Sequence, residues 1–221
     1  MKLKEITHKN GAVLIFDEMV TGFRVSLGGA QQYYGVTPDL STFGKGMANG
    51  MPLSLLVGKR EIMMEGENTF FSMTFGGETL SLAAAISTIQ EMKDKKVIEH
   101  LWKQGTKLKN GYNQLAKKYG IEQFTRCTGL PVHHQFEFVQ IINGKEEVWY
   151  ELKSLFLQET IKRGILFTGV NNICLSHSDA DIEKTLTVIE EAFITLKNGI
   201  NENKLVELLE GKPLKPIFKR N

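Results

Sequence analysis

Short continuous apolar runs alternate along this chain with stretches of helical spacing, and glycine, proline or asparagine marks each change of period. Residues 2–9 read as the closing turns of a helix ended by Asn10-Gly11. The run Ala12-Val-Leu-Ile-Phe16 has no polar interruption, which predicts a buried strand of the parallel kind, and it ends in Asp17-Glu18. Residues 19–36 are rich in glycine and aromatics without a clear period and read as a long structured loop. Thr37-Pro38-Asp39 is a turn. A short strand from Leu40 to Phe43 follows, then a second over 53–57 and a short helix over 59–65. A further helix is expected from Glu78 to about Lys93.

Beyond that helix, Val97, Leu101, Leu108, Tyr112, Leu115 and Tyr119 keep helical spacing up to Gly120, weakened by Gly105 and Gly111. Val132, His134, Phe136 and Phe138 alternate, as on a half-buried antiparallel strand. Asn143-Gly144 marks a turn, and a helix over about 148–163 ends at Gly164. Ile165-Leu-Phe-Thr168 and Ile173-Cys-Leu-Ser176 read as two short strands. Ser178-Asp-Ala-Asp181 resembles a capping box opening a helix whose inner face holds Ile182, Leu186, Ile189, Phe193 and Leu196. The tail over 209–217 is extended and proline-bearing.

With 221 residues, 42% hydrophobic and 24% charged, the chain has material for a full core and one or two domains. Its formal charge is +2, and no basic block or aromatic-basic interleaving points to nucleic acid. No run is long enough to span a membrane, and the first ten residues hold no apolar signal region, so the sequence reads as a soluble cytoplasmic protein. Cys127 and Cys174 lie far apart without metal-type spacing, which fits a reducing compartment. The adjacent His133 and His134 point to opposite faces of one strand and read as structural rather than as a metal pair.

The candidate chemistry centres on Lys45. Gly44, Gly46, Asn49, Gly50 and Pro52 break any helix around it, so it is no helix-surface charge. Its position reads as a tight turn at a strand end, where flanking glycines let the backbone bend and a bulky group approach. A lysine held that way can form a Schiff base with a carbonyl. Asp17, at the carboxyl end of a parallel strand, sits where open α/β sheets bind ligands; the plainer reading is a cap for the next turn. The hydroxyls and glycines of Thr69 to Gly77 precede a helix start that could hold an anion, unless Thr79 or Ser81 merely caps it.

Three stretches, Leu14-Ile-Phe-Asp-Glu-Met-Val-Thr-Gly-Phe-Arg24, Pro38-Asp-Leu-Ser-Thr-Phe-Gly-Lys45 and Thr74-Phe-Gly-Gly77, resemble the class III pyridoxal-phosphate aminotransferases. The link Leu27-Gly-Gly-Ala-Gln-Gln-Tyr-Tyr-Gly35 and the later Arg163-Gly-Ile-Leu-Phe167 and Leu175-Ser-His-Ser178 are most similar to the glutamate-1-semialdehyde aminomutase subgroup. The resemblance implies an α/β chain of the pyridoxal-phosphate-dependent transferase type I fold. Residues 1–105 would be the second half of the large cofactor domain, and 106–221 a C-terminal small α/β domain. It implies pyridoxal 5'-phosphate as cofactor, Lys45 as its Schiff-base lysine, Asp17 at the ring nitrogen and Met19 against a ring face. Thr74 would reach the cofactor phosphate of the neighbouring subunit.

Two departures accompany the likeness. Glu78 and Thr79 stand where the family commonly has Asn or His and then Pro. The family's N-terminal half has no counterpart here, so the chain reads as a C-terminal half. The implied function is amino-group transfer or an intramolecular amino shift on a small amino acid or amino sugar. One alternative is a sugar or polyamine aminotransferase. The other is a catalytically silent folding and dimerisation half, which pairs as a homodimer or with a complementary N-terminal half.

Overall fold

A computed structural model of the chain describes residues 2–70 and 72–216. It falls into two compact units divided between His100 and Leu101, slightly before the boundary expected after residue 105.

The first unit opens with helix α1 (Lys2–Lys9), closed where the amides of Gly11 and Ala12 donate to the carbonyls of His8 and Thr7. Three strands follow, β1 (Ile15–Asp17), β2 (Leu40–Phe43) and β3 (Leu55–Gly58), in sheet order β1-β2-β3. β1 runs parallel to β2, and β3 antiparallel to it. Helix α2 (Gly29–Tyr34) lies inside the segment expected to be loop, and α3 (Arg60–Met63) follows β3. Helix α4 (Thr79–Asp94) comes next. Phe43, Met47, Ala48 and Ala85 form a small core with Phe23, Met51, Leu53 and Ile89 around it.

The first strand corrects the sequence expectation. It is shorter than residues 12–16 and it is not buried on both faces. Leu14 and Glu18 point inward, while Val13 and Ile15 are 47% and 55% exposed. Successive side chains leave opposite faces of a strand, and only one face of this one is covered among the described residues.

Asp39 is also more than a turn residue. It is buried, its Oδ2 accepts the Leu14 amide at 2.8 Å and lies 2.8 Å from His8 Nε2, and its Oδ1 meets Lys59 Nζ at 2.8 Å. Hydrogen bonding from Lys59, then from Leu14 and His8, holds its carboxyl well below the usual range. One carboxylate thus fastens α1, the start of β1 and the end of β3.

The second unit is built from helix α5 (Val97–Lys118, beginning just before the boundary), α6 (Tyr150–Lys162) and α7 (Asp179–Asn201) with four strands. These are β4 (Thr125–Leu130), β5 (His133–Ile142), β6 (Lys145–Val148) and β7 (Val170–Asn172), and every pairing is antiparallel. Asn143 and Gly144 both take positive φ, 51° and 76°, as a two-residue hairpin turn requires. Ser178 and Asp181 close a reciprocal capping box at the start of α7. The core is aromatic: Tyr112 stacks on Phe136 at 4.0 Å and meets Phe193 edge-on at 5.0 Å.

Neither apolar run at 165–168 and 173–176 is a strand. β7 lies between them, because a strand needs an edge to pair with, and this is where the chain passes the His133–Gln135 edge of β5. Asn172 Oδ1 lies 2.7 Å from His133 Nδ1 there. His134 is buried, with Nδ1 2.8 Å from the Pro131 carbonyl, and burial pushes its pKa down. The tail docks on α6 through Glu210 and Leu214 amides donated to Gln158 and Ser154, while Ile217 lies outside the described residues.

Candidate active site

The parallel pairing of β1 and β2 positions the site. Asp17 is the last residue of β1 and stands opposite Thr42. Phe43 ends β2, and Lys45 opens a single 3-10 turn, Lys45–Met47. Both side chains therefore leave the carboxyl ends of neighbouring parallel strands, the edge at which open α/β sheets hold ligands.

Lys45 takes φ 46°. A left-handed conformation at a non-glycine residue costs about 1–2 kcal/mol. Its side chain is exposed, and among the described residues nothing bonds to Nζ. Asp17 is fixed by one oxygen only: Oδ1 accepts from the Met19 amide at 3.0 Å and from Thr42 Oγ1 at 3.3 Å. Among the described residues Oδ2 has no partner. Met19 crosses Gly44, its terminal methyl lying 2.6 Å from where a Cβ on that glycine would sit. The structure thus gathers Asp17, Met19 and the Gly44-Lys45 turn around one edge.

Glu18 organises this edge, and the sequence reading left it without a role. It is 1% exposed, with Oε2 accepting from the Ala30 amide at 2.7 Å and from Thr21 Oγ1, and Oε1 from the Gln31 amide at 2.9 Å. Gly29, at φ 74°, is where a Cβ would come within 2.4 Å of that carboxylate. This buried carboxyl group ties the loop after β1 to the start of α2, and so fixes the backbone between Asp17 and Met19. The Gly28-Gly29 pair that opens α2 is the trace it leaves in the sequence.

Thr74 sits on the exposed turn before α4, and no contact joins it to the other three among the described residues. The helix start behind it differs from expectation. Neither Thr79 nor Ser81 caps it. Glu78 does, accepting from the Leu80 amide at 2.8 Å and the Ser81 amide at 2.7 Å. Those amides are engaged by a carboxylate rather than free for an anion, and bonding from Ser81 and Leu80 holds the Glu78 carboxyl below its ordinary range.

The donor set suits pyridoxal phosphate in part. An unengaged amine, an outward carboxylate oxygen and an apolar thioether match an aldehyde, a ring nitrogen and a ring face. The phosphate finds less here, because the α4 start already holds a carboxylate. A cleft of about 440 Å3 opens on the sheet face of Phe43, Leu55 and Val57, opposite to the face shared by Asp17 and Thr42.

The family model described as aminotransferase class-III matches residues 1–193. This chain belongs to the class-III aminotransferases. Among similar members, the glutamate-1-semialdehyde 2,1-aminomutase 2 of Brevibacillus brevis is 37% identical over 200 residues, covering 86% of this chain and 46% of its own length. The 3-aminobutyryl-CoA aminotransferase of Cloacimonas acidaminovorans is 31% identical over 199 residues, covering 88% of this chain and 47% of its own. The solved FumI protein of Sphingopyxis sp. MTA144 superposes with a TM-score of 0.78 at 24% identity, over 93% of this chain and 49% of that one. An omega-transaminase from Sphaerobacter thermophilus gives 0.78 at 22% identity, over 89% and 47%. The fold is therefore that of the pyridoxal-phosphate-dependent type I transferases, and this class-III chain spans about half the length of the relatives it matches.

Proposed function

We propose that this chain supplies the lysine-bearing part of a pyridoxal-phosphate-dependent aminotransferase or aminomutase site, of the glutamate-1-semialdehyde aminomutase kind. One arrangement carries the reading: Asp17 and Lys45 leave the carboxyl ends of two paired parallel strands, and Met19 packs on the glycine before Lys45. When bound, the cofactor supplies an aldehyde and a ring that accepts electrons from the substrate carbon. Lys45 Nζ would hold that aldehyde and would serve as the base that moves a proton at the substrate carbon. Asp17 would hold the ring nitrogen and favour its protonated form, and Met19 would cover one ring face against water. Thr74 serves the phosphate of a neighbouring subunit, which makes the complete site a property of a homodimer. Residues 1–105 then form the second half of the large domain, and 106–221 the small domain.

The substrate class is a small amino acid, a reading supported by the names of the aminomutase relatives; sugar and polyamine aminotransferases are the alternatives. A cytoplasmic location fits the two unpaired cysteines, and no described helix is long and apolar enough to cross a membrane.

A second reading, that this stretch is catalytically silent without a complementary half, is favoured by the 46–47% coverage of the relatives. It predicts weak cofactor binding by the chain alone, since most of the phosphate cradle would lie elsewhere. Borohydride reduction with excess cofactor, followed by peptide mapping, tests the site. A label concentrated on Lys45 and lost in Lys45→Ala is expected. A label on Lys59, or one spread evenly over the lysines, overturns the assignment.

A further inference from the structure

A cleft of about 520 Å3 opens in the second unit between the chain at 164–173, α5 and the first turns of α7. Leu108, Ile173 and Ile182 form its apolar wall and are all buried, with Phe167 half-buried beside them. Three buried side-chain atoms around it have no hydrogen-bond partner among the described residues: His134 Nε2, Asn171 Nδ2 and Gln104 Oε1. Asn171 lines the cleft. His134 stands directly opposite it in the β5–β7 register, so both side chains leave the same face of the sheet. Gln104 lies one turn before Leu108 on α5 and reaches Asp179 at the start of α7, on the helix side of the cleft.

The bonds already made decide what each free atom can do. His134 Nδ1 lies 2.8 Å from the Pro131 carbonyl, which can only accept, so Nδ1 carries the proton and Nε2 of the neutral ring is an acceptor. Gln104 Nε2 donates to Asp179 Oδ1 at 3.1 Å, which leaves Oε1 as a second acceptor. Asn171 Nδ2 is a donor. Folded proteins rarely leave such groups unmade, because a buried group without a partner has lost its hydration with no bond in return. We infer that this cleft binds an uncharged molecule carrying a primary carboxamide on a flat apolar body. The amide NH2 donates to the two acceptors, its carbonyl accepts from Asn171, and the body lies against Leu108, Ile173 and Ile182. An anion fits less well. Two of the three free groups present lone pairs, and Ser178 Oγ already accepts from the Asp181 amide at the α7 start. The inference stands on the second unit alone and does not depend on the catalytic reading.

Benzamide is the probe, titrated into the full chain without cofactor and followed in amide NMR spectra. Saturable shifts around residues 104–108, 164–173 and 177–185 are expected. N,N-dimethylbenzamide, which has no donor, and benzoate, which is an anion, should bind at least about tenfold more weakly. Asn171→Leu should weaken benzamide by a similar factor. Should that variant fail to fold, the wild type gives an independent reading: the Nε2 resonance of His134 should move on titration while that of His8 stays. The absence of saturable benzamide binding would leave ordered water as the partner of these atoms and overturn the inference. Equal affinity for the three compounds would overturn it as well, since the apolar wall alone would then account for binding. So would wild-type affinity in folded Asn171→Leu, or an unmoved His134 Nε2 at saturation.

Discussion

A Cβ placed on Gly105 would lie 2.1 Å from the carbonyl oxygen of Pro131, so α5 and the turn between β4 and β5 meet backbone against backbone. On sequence grounds Gly105 only weakens a helix. In the fold it is the residue that lets the helix touch the hairpin.

Gly105→Ala should therefore go against helix propensity. At a free helix position the change gains about 1 kcal/mol. Here the methyl meets backbone that cannot swing aside, and a loss of about 1–3 kcal/mol is expected. Urea unfolding of the two proteins gives the sign directly.

Much of the fold was legible where the pattern was long. The helices over 97–118 and 179–201 show themselves by many repeats of one period, and the Ser178 box marks its own start. Elements that owe their existence to a partner were not legible. β7 is defined by the edge of β5, and no feature of Val170–Asn172 announces it. Glu18 was hidden for a similar reason: its partners are backbone amides 12 and 13 residues further on, and amides carry no sequence signal. The sequence reading put Asp17 and Lys45 at strand ends, where they lie, but not that Oδ1 of Asp17 is tied to Met19 while Oδ2 stays open.

Asp39 makes the first unit acid-sensitive. Its folded pKa is held below the ordinary 3.8, so the unfolded chain binds more protons over the interval beneath that value. The contribution is complete above about pH 4 and is lost as pH falls through the folded pKa. Asp39→Asn should lower the urea midpoint at neutral pH and flatten its decline below pH 4. An equally steep decline in the variant would remove Asp39 as the cause.

Gly44 and Met19 should behave as a coupled pair. Gly44→Ala forces the Met19 methyl aside and should cost about 1 kcal/mol. In Met19→Ala/Gly44→Ala the clash is gone, so the double variant should be less destabilised than the sum of the singles by about 0.5–1 kcal/mol. A double-mutant cycle in urea measures this, and strict additivity would deny the contact.

The two cysteines should separate by reactivity. Burial pushes the Cys127 thiol up to about 12, while Cys174 is exposed. Since the thiolate is the attacking species, iodoacetamide should modify Cys174 in the folded chain and reach Cys127 at least about tenfold more slowly. Mass spectrometry should find one label before denaturation and two after it.

The Asn143-Gly144 turn also sets an order of events. β5 and β6 close through two residues, and β4 reaches β5 across a turn as short, so this sheet registers from neighbours in sequence. β1 must find β2 across a separation of 25 residues, with the Glu18 carboxylate gathering the loop between them. Hairpins close in microseconds, and long closures carry a larger entropic barrier. In pulsed deuterium labelling, residues 133–148 should gain protection before residues 15–17. The strand ends that carry Asp17 and Lys45 are then among the last parts of the chain to mature.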